Sequence, residues 1–179
     1  MKSCAAGTLK RVLPVLLAAL VAFAGWVVLR GRIADCRDDF GARHPVPAGL
    51  RCEIPAEENA APPRIPTDRL ALIIRKGVQG GIYSYEFYSP PLPDGEIFLK
   101  CFEVTENIPL SVRKIESRTR QKVAGHDAFA RVGSKREFTI YEGDWGEPYA
   151  VRIEVWHRNG RGSVHKLHEA VYVMEGWQR

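Results

Sequence analysis

Glu142-Gly143-Asp144-Trp145-Gly146-Glu147-Pro148-Tyr149 gathers three carboxylates, two glycines and two aromatic rings between two strand-like segments. Carboxylate oxygens on a loop at a sandwich edge are the kind of hard ligand that Ca²⁺ takes. Trp145 and Tyr149 offer flat faces on which a sugar or a peptide could stack. The plainer reading is a tight turn with Trp145 folded down over the core. Glu142, Asp144, Trp145, Glu147 and Tyr149 are the candidate binding residues, together with Trp156. Arg152 and Glu154 share the strand parity of Trp156, so it points outward from a charged row.

Other constellations carry less chemistry. His165 and His168, with His157 nearby, have the spacing of a metal pair. Strand residues three apart face opposite sides, and a fourth ligand is missing, so no metal centre is expected. His126-Asp127 follows Gly125, but no Gly-x-Ser-x-Gly elbow accompanies it. No catalytic residue and no cofactor are assigned. A rival reading, an extracytoplasmic hydrolase using Glu142, Asp144 or His126, requires two of these groups within reach in one concave pocket.

These residues are carried on a chain with an oily start. Val12 to Leu29 runs for eighteen residues without a charge, between Lys10-Arg11 and Arg30-Gly31-Arg32. At about 1.5 Å per residue it nearly spans a hydrocarbon core of roughly 30 Å. The favoured reading is an uncleaved anchor, because the run continues through Trp26-Val27-Val28-Leu29 to two arginines. The alternative is a signal peptide cut near Ala24, at the small-x-small pattern Ala22-Phe23-Ala24. Basic residues on both sides leave orientation unsettled by charge.

Five of the 26 basic residues flank this run, and the remaining 21 match the 21 acidic ones. The net charge of +5 therefore reports membrane flanks, and no nucleic-acid partner is expected. One local excess remains: Arg113 to Arg136 holds eight basic residues against two acidic. Anionic lipid headgroups or an acidic partner would suit it, as would plain solvent.

Half of the twelve prolines fall between Pro45 and Pro66. Proline fixes φ and removes a ladder donor, so this reads as a semi-extended spacer. Cys36 and Cys52 lie within the whole spacer, 30–66, enclosing fifteen residues. A bridge between them is worth about 3 kcal/mol in the chain-entropy model and leans toward an oxidising compartment. The alternatives are two free thiols, or Cys52 bonded to Cys101.

Beyond Pro66 the pattern is strand-like. Leu70–Arg75, Ile82–Tyr88 (Tyr83, Tyr85 and Phe87 on one face), Glu96–Val104, Ala128–Val132, Glu137–Glu142, Tyr149–His157 and Leu167–Glu175 all read as strands. Glu96–Val104 is apolar on both faces, as a central strand is. Ser111 is placed to cap a short helix over Val112–Arg118. A three-residue Asn159-Gly160-Arg161 loop would pair Ile153 with Leu167, Tyr149 with Val171 and Glu154 with Lys166.

The expected fold is an all-β antiparallel sandwich of about seven strands with one short helix, after a transmembrane helix and a spacer. The segments are a tail (1–11), an anchor or signal (12–29), a proline-rich spacer (30–66) and the sandwich (67–179). The expected role is a single-pass module outside the cytoplasm, bound to the bilayer by its N-terminal helix. It would bind another envelope protein through the Glu142–Tyr149 loop. A structural spacer without a ligand is the third class.

Overall fold

A computed structural model describes residues 20–23, 25–26, 39–60, 68–133 and 137–177. Two compact units divide the chain, Met1–Arg37 and Asp38–Arg179. In the first, Leu20–Phe23, Gly25 and Trp26 are helical, with Leu20, Val21, Phe23 and Trp26 exposed. No helix among the described residues is long and apolar enough to cross a membrane. Most of the expected anchor, 12–29, lies outside the described residues.

The second unit is mostly β, in two antiparallel sheets with few helices. Its elements are α1 (Phe40–Arg43), β1 (Ala71–Lys76), β2 (Ile82–Ser89), β3 (Gly95–Glu103), β4 (Pro109–Leu110) and α2 (Val112–Thr119). They continue with β5 (Gln121–Val123), β6 (Ala130–Gly133), β7 (Phe138–Thr139), β8 (Tyr149–Asn159) and β9 (Val164–Met174). One sheet runs β1-β2-β6, with β7 also on β2; the other runs β4-β3-β8-β9, with β5 also on β3. Nine strands among the described residues replace the seven expected, because β4 and β5 are too short to show an alternating pattern.

Alternation explains the core. Tyr83, Tyr85 and Phe87 of β2 are all buried, as are Ile97, Leu99 and Cys101 of β3 and Ile153 and Val155 of β8. On α2, Ile115 and Thr119 lie one turn apart and both face inward. The Thr119 hydroxyl donates to the Ile115 carbonyl (2.7 Å) and accepts from the Leu99 amide (2.9 Å). Tyr85 donates to the Thr119 carbonyl (2.7 Å), so the helix is bolted to both sheets. The expected side-chain cap is absent: Ser111 sits at φ +41° and makes no capping bond.

The β8–β9 register corrects the sequence expectation. Ile153 pairs with Ala170, Tyr149 with Met174 and Glu154 with Glu169. The loop is Gly160-Arg161-Gly162, one residue later than expected. The Asn159 side-chain oxygen accepts from the Arg161 and Ser163 amides (both 3.0 Å), and Gly162 takes φ +86°. The register then shifts once more, since Trp156 pairs with Lys166 but Val155 with His168, leaving Leu167 as a bulge. His168 thereby lies opposite Val155 rather than Arg152, with its ring 6.4 Å from that of Phe87.

Part of the proline-rich stretch is built into this unit. Glu53 donates its amide to the Val171 carbonyl (2.8 Å) and accepts from Val173 (2.9 Å). Ala56 donates to Ile74 (2.9 Å) and accepts from Lys76 (2.8 Å). Both bridges are parallel, one on the edge of β9 and one on the edge of β1. Residues 53–56 thus form a strap across the two sheet edges. Beneath it, buried Arg75 donates to Glu86 (3.1 Å) and to the Glu57 and Ala60 carbonyls (3.3 and 3.1 Å).

Candidate functional site

The Glu142–Tyr149 loop leaves β7 and enters β8 at one end of the second unit. Glu142 is engaged at both oxygens: the Ser111 amide donates to one (2.8 Å) and the Ser111 hydroxyl to the other (2.7 Å). These bonds hold Ser111 in its left-handed conformation, so the carboxylate acts as a brace. Tyr149 is fully buried, donates to the Glu142 carbonyl (2.7 Å) and meets Phe40 edge-on at 5.0 Å. Asp144 is also buried, and Glu147 lies with its backbone against Gly41, where a Cβ would overlap the Glu147 carbonyl oxygen.

The chain beyond β9 closes the other side. A Cβ at Gly176 would overlap the carbonyl oxygens of Gly143 and Glu142, so two backbones meet there directly. Tyr83 donates to the Glu175 carbonyl (3.1 Å) and accepts from the Glu175 amide (2.9 Å). Burial pushes the Tyr83 phenol up to about 12, and it remains a donor throughout the neutral range. The Glu175 carboxylate accepts from the Gly146 amide (2.7 Å).

The Glu142 carboxylate and the Tyr149 hydroxyl therefore hold the loop, while Asp144 Oδ1 and Glu147 Oε2 are buried with no hydrogen-bond partner among the described residues. Trp145 is 39% exposed, with its indole against Gly80 in the β1–β2 turn. Beside it opens a groove of about 370 Å³, lined by Ile54, Lys76, Tyr83, Gly146, Pro148, Val173, Met174 and Glu175. A second hollow of about 200 Å³ shares Lys76, Tyr83 and Glu175 with it and extends along Gly77–Gly80. The lining comes from the strap, the β1–β2 hairpin, the loop and the end of β9.

Trp156 does not join this site. It lies on β8 with Arg152 and Glu154, donating to the Glu154 carboxylate (2.9 Å), with the Lys100 ammonium 4.3 Å from its ring centre. Among the described residues no group of three or more His, Cys, Asp or Glu side chains could hold a metal ion, so the Ca²⁺ option for the loop finds no ligand set. Nor is a disulfide seen there: Cys52 and Cys101 are free thiols, which excludes their mutual bridge. Cys36, the partner expected for Cys52, lies outside the described residues. Burial pushes the Cys101 thiol far above its ordinary value, consistent with packed core.

Of the groove lining, only Gly146 and Pro148 belong to the loop that the sequence singles out, and Trp145 lies beside the groove rather than in its lining. Ile54, Lys76 and Glu175 are distant in the chain and belong to no motif. Comparison with protein-family models, with curated proteins and with solved structures finds no match.

Proposed function

We propose that this chain is a membrane-tethered binding module of the cell envelope, held outside the cytoplasm by its N-terminal apolar segment. Its β-domain takes a segment of another envelope protein in the groove beside Trp145. The observation that carries this reading is the groove itself. Its lining is apolar along Ile54, Pro148, Val173 and Met174, with Lys76 and Glu175 as opposite charges at its side. A few placed polar groups in a largely apolar hollow are what a recognition site uses to fix orientation. Ile54 is 76% exposed and Trp145 partly so, giving an aliphatic and an aromatic anchor for a partner.

Binding is preferred to hydrolysis on the placement of the carboxylates. Both Glu142 oxygens are taken by Ser111. His126 donates from Nδ1 to the Ala128 carbonyl (2.7 Å) and exchanges backbone bonds with Leu92. Neither lines the groove.

Photo-crosslinking from position 76, also in the groove lining, in membranes, followed by mass spectrometry of the adduct and of the chain's N-terminus, tests the proposal. One partner should be captured, with the leader present or cut near Ala24. Ile54→Asp and Trp145→Ala should each weaken capture at least about tenfold, the loss of a well-packed anchor. Equal capture by both variants, or recovery of the intact chain from cytosol alone, would overturn it.

A further inference from the structure

The basic stretch Arg113–Arg136 resolves into two kinds of residue. Arg120 pairs with Glu116, and Arg131 with Glu86. Lys114 and Arg118, one turn apart on α2, have no carboxylate within ion-pair distance among the described residues. Like charges at this spacing repel on a helix. Glu116, the helix's own acid, is spent on the other side with Arg120 and Arg158.

Lys114 and Arg118 both line a cavity of about 400 Å³ between α2, β2 and β7. Its floor includes buried Phe138 and half-buried Ile82, and its wall includes Tyr141, whose ring centre lies 3.6 Å from the Lys114 ammonium. Thr139 adds a hydroxyl with no hydrogen-bond partner among the described residues, while the Ser117 hydroxyl donates to the Lys114 carbonyl. Glu137 is the one acid in the lining among the described residues.

The geometry points to a binding site for a phosphate ester, with the phosphoryl oxygens held by Lys114, Arg118 and Thr139. An arginine fork, a lysine point charge and a hydroxyl supply donors for several acceptor oxygens at once. An oxyanion between Lys114 and Arg118 removes their repulsion. The apolar floor receives the carbon part of the ester, and the volume falls in the range of small-ligand sites. The site is separate from the Trp145 groove and shares no lining residue with it except Ile82 of the adjoining hollow.

A free phosphate ester and an anionic lipid headgroup present the same group, and the test separates them. The full chain in phosphatidylcholine nanodiscs is titrated calorimetrically with glycerol phosphate, and nanodiscs containing phosphatidylglycerol are analysed by native mass spectrometry for retained lipid. Saturable glycerol phosphate binding, weakened at least about tenfold by Lys114→Gln with Arg118→Gln and untouched by Lys122→Gln, supports a soluble ester. Retained phosphatidylglycerol that follows the same variant pattern, without glycerol phosphate binding, supports the headgroup. Thr139→Val, which leaves every charge in place, should also weaken whichever ligand binds. Absence of both ligands, or equal loss with Lys122→Gln, overturns the proposal.

Discussion

Glu142 shows how one carboxylate can be structural in a setting that invites a catalytic reading. Its partner, Ser111, is 31 residues away, so no local pattern announces the bond. Glu142→Gln weakens two charge-assisted bonds, one to the amide and one to the hydroxyl of Ser111, whose backbone is held at φ +41°, and should destabilise the fold by about 1–3 kcal/mol, read by urea unfolding. The types in Glu142–Tyr149 were legible as a special loop, but the exposure of Trp145 was not, since the plainer reading folds it over the core. The roles of Glu142, Tyr149 and Asp144 were not, because each is set by long-range packing. Trp145→Ala should leave stability within about 1 kcal/mol while reducing partner capture, since its ring is partly solvated already.

The strands were legible wherever alternation ran for six residues or more, as in β1, β2, β3, β8 and β9. Short β4 and β5 were not, and neither was the Leu167 bulge, which breaks the period-2 rule used to set the register. The bulge has a consequence for pH. It brings His168 to the same side as His157, which faces His165 with ring centres 5.1 Å apart. Burial, aided by the His165 charge and partly opposed by the Pro93 carbonyl, pushes the His157 imidazole down. Burial does the same to His168 against the pull of Glu53 and Glu169. Below about pH 6.5 the unfolded chain takes up protons that the native state refuses, so stability falls as pH drops through that value. Urea midpoints at pH 7.5 and 5.5 should differ, and His157→Gln should shrink the difference.

For the β-rich unit as a whole, the strap decides where the fold begins. Proline content suggested a semi-extended spacer, but not that Glu53 and Ala56 would use their free amides and carbonyls on two sheet edges. A chain starting at residue 67 should leave both edges unpaired and self-associate, where one starting at 39 stays monomeric; sedimentation distinguishes them. Under the strap, Glu86 stays ionised below the usual carboxylate range. Burial raises it, but Tyr88, Arg75 and Arg131 outweigh burial. Its contribution is present above about pH 4.5 and is lost as pH falls below that value. Arg75→Met should cost about 3 kcal/mol or more at neutral pH, because Glu86 would then be left buried without its closest cation.

Parallel pairing also fixes how the domain answers a pull. Load applied along residues 53–56 falls on four hydrogen bonds shared between β9 and β1. The strap is thereby a clasp: traction on it reaches both walls of the sandwich at once.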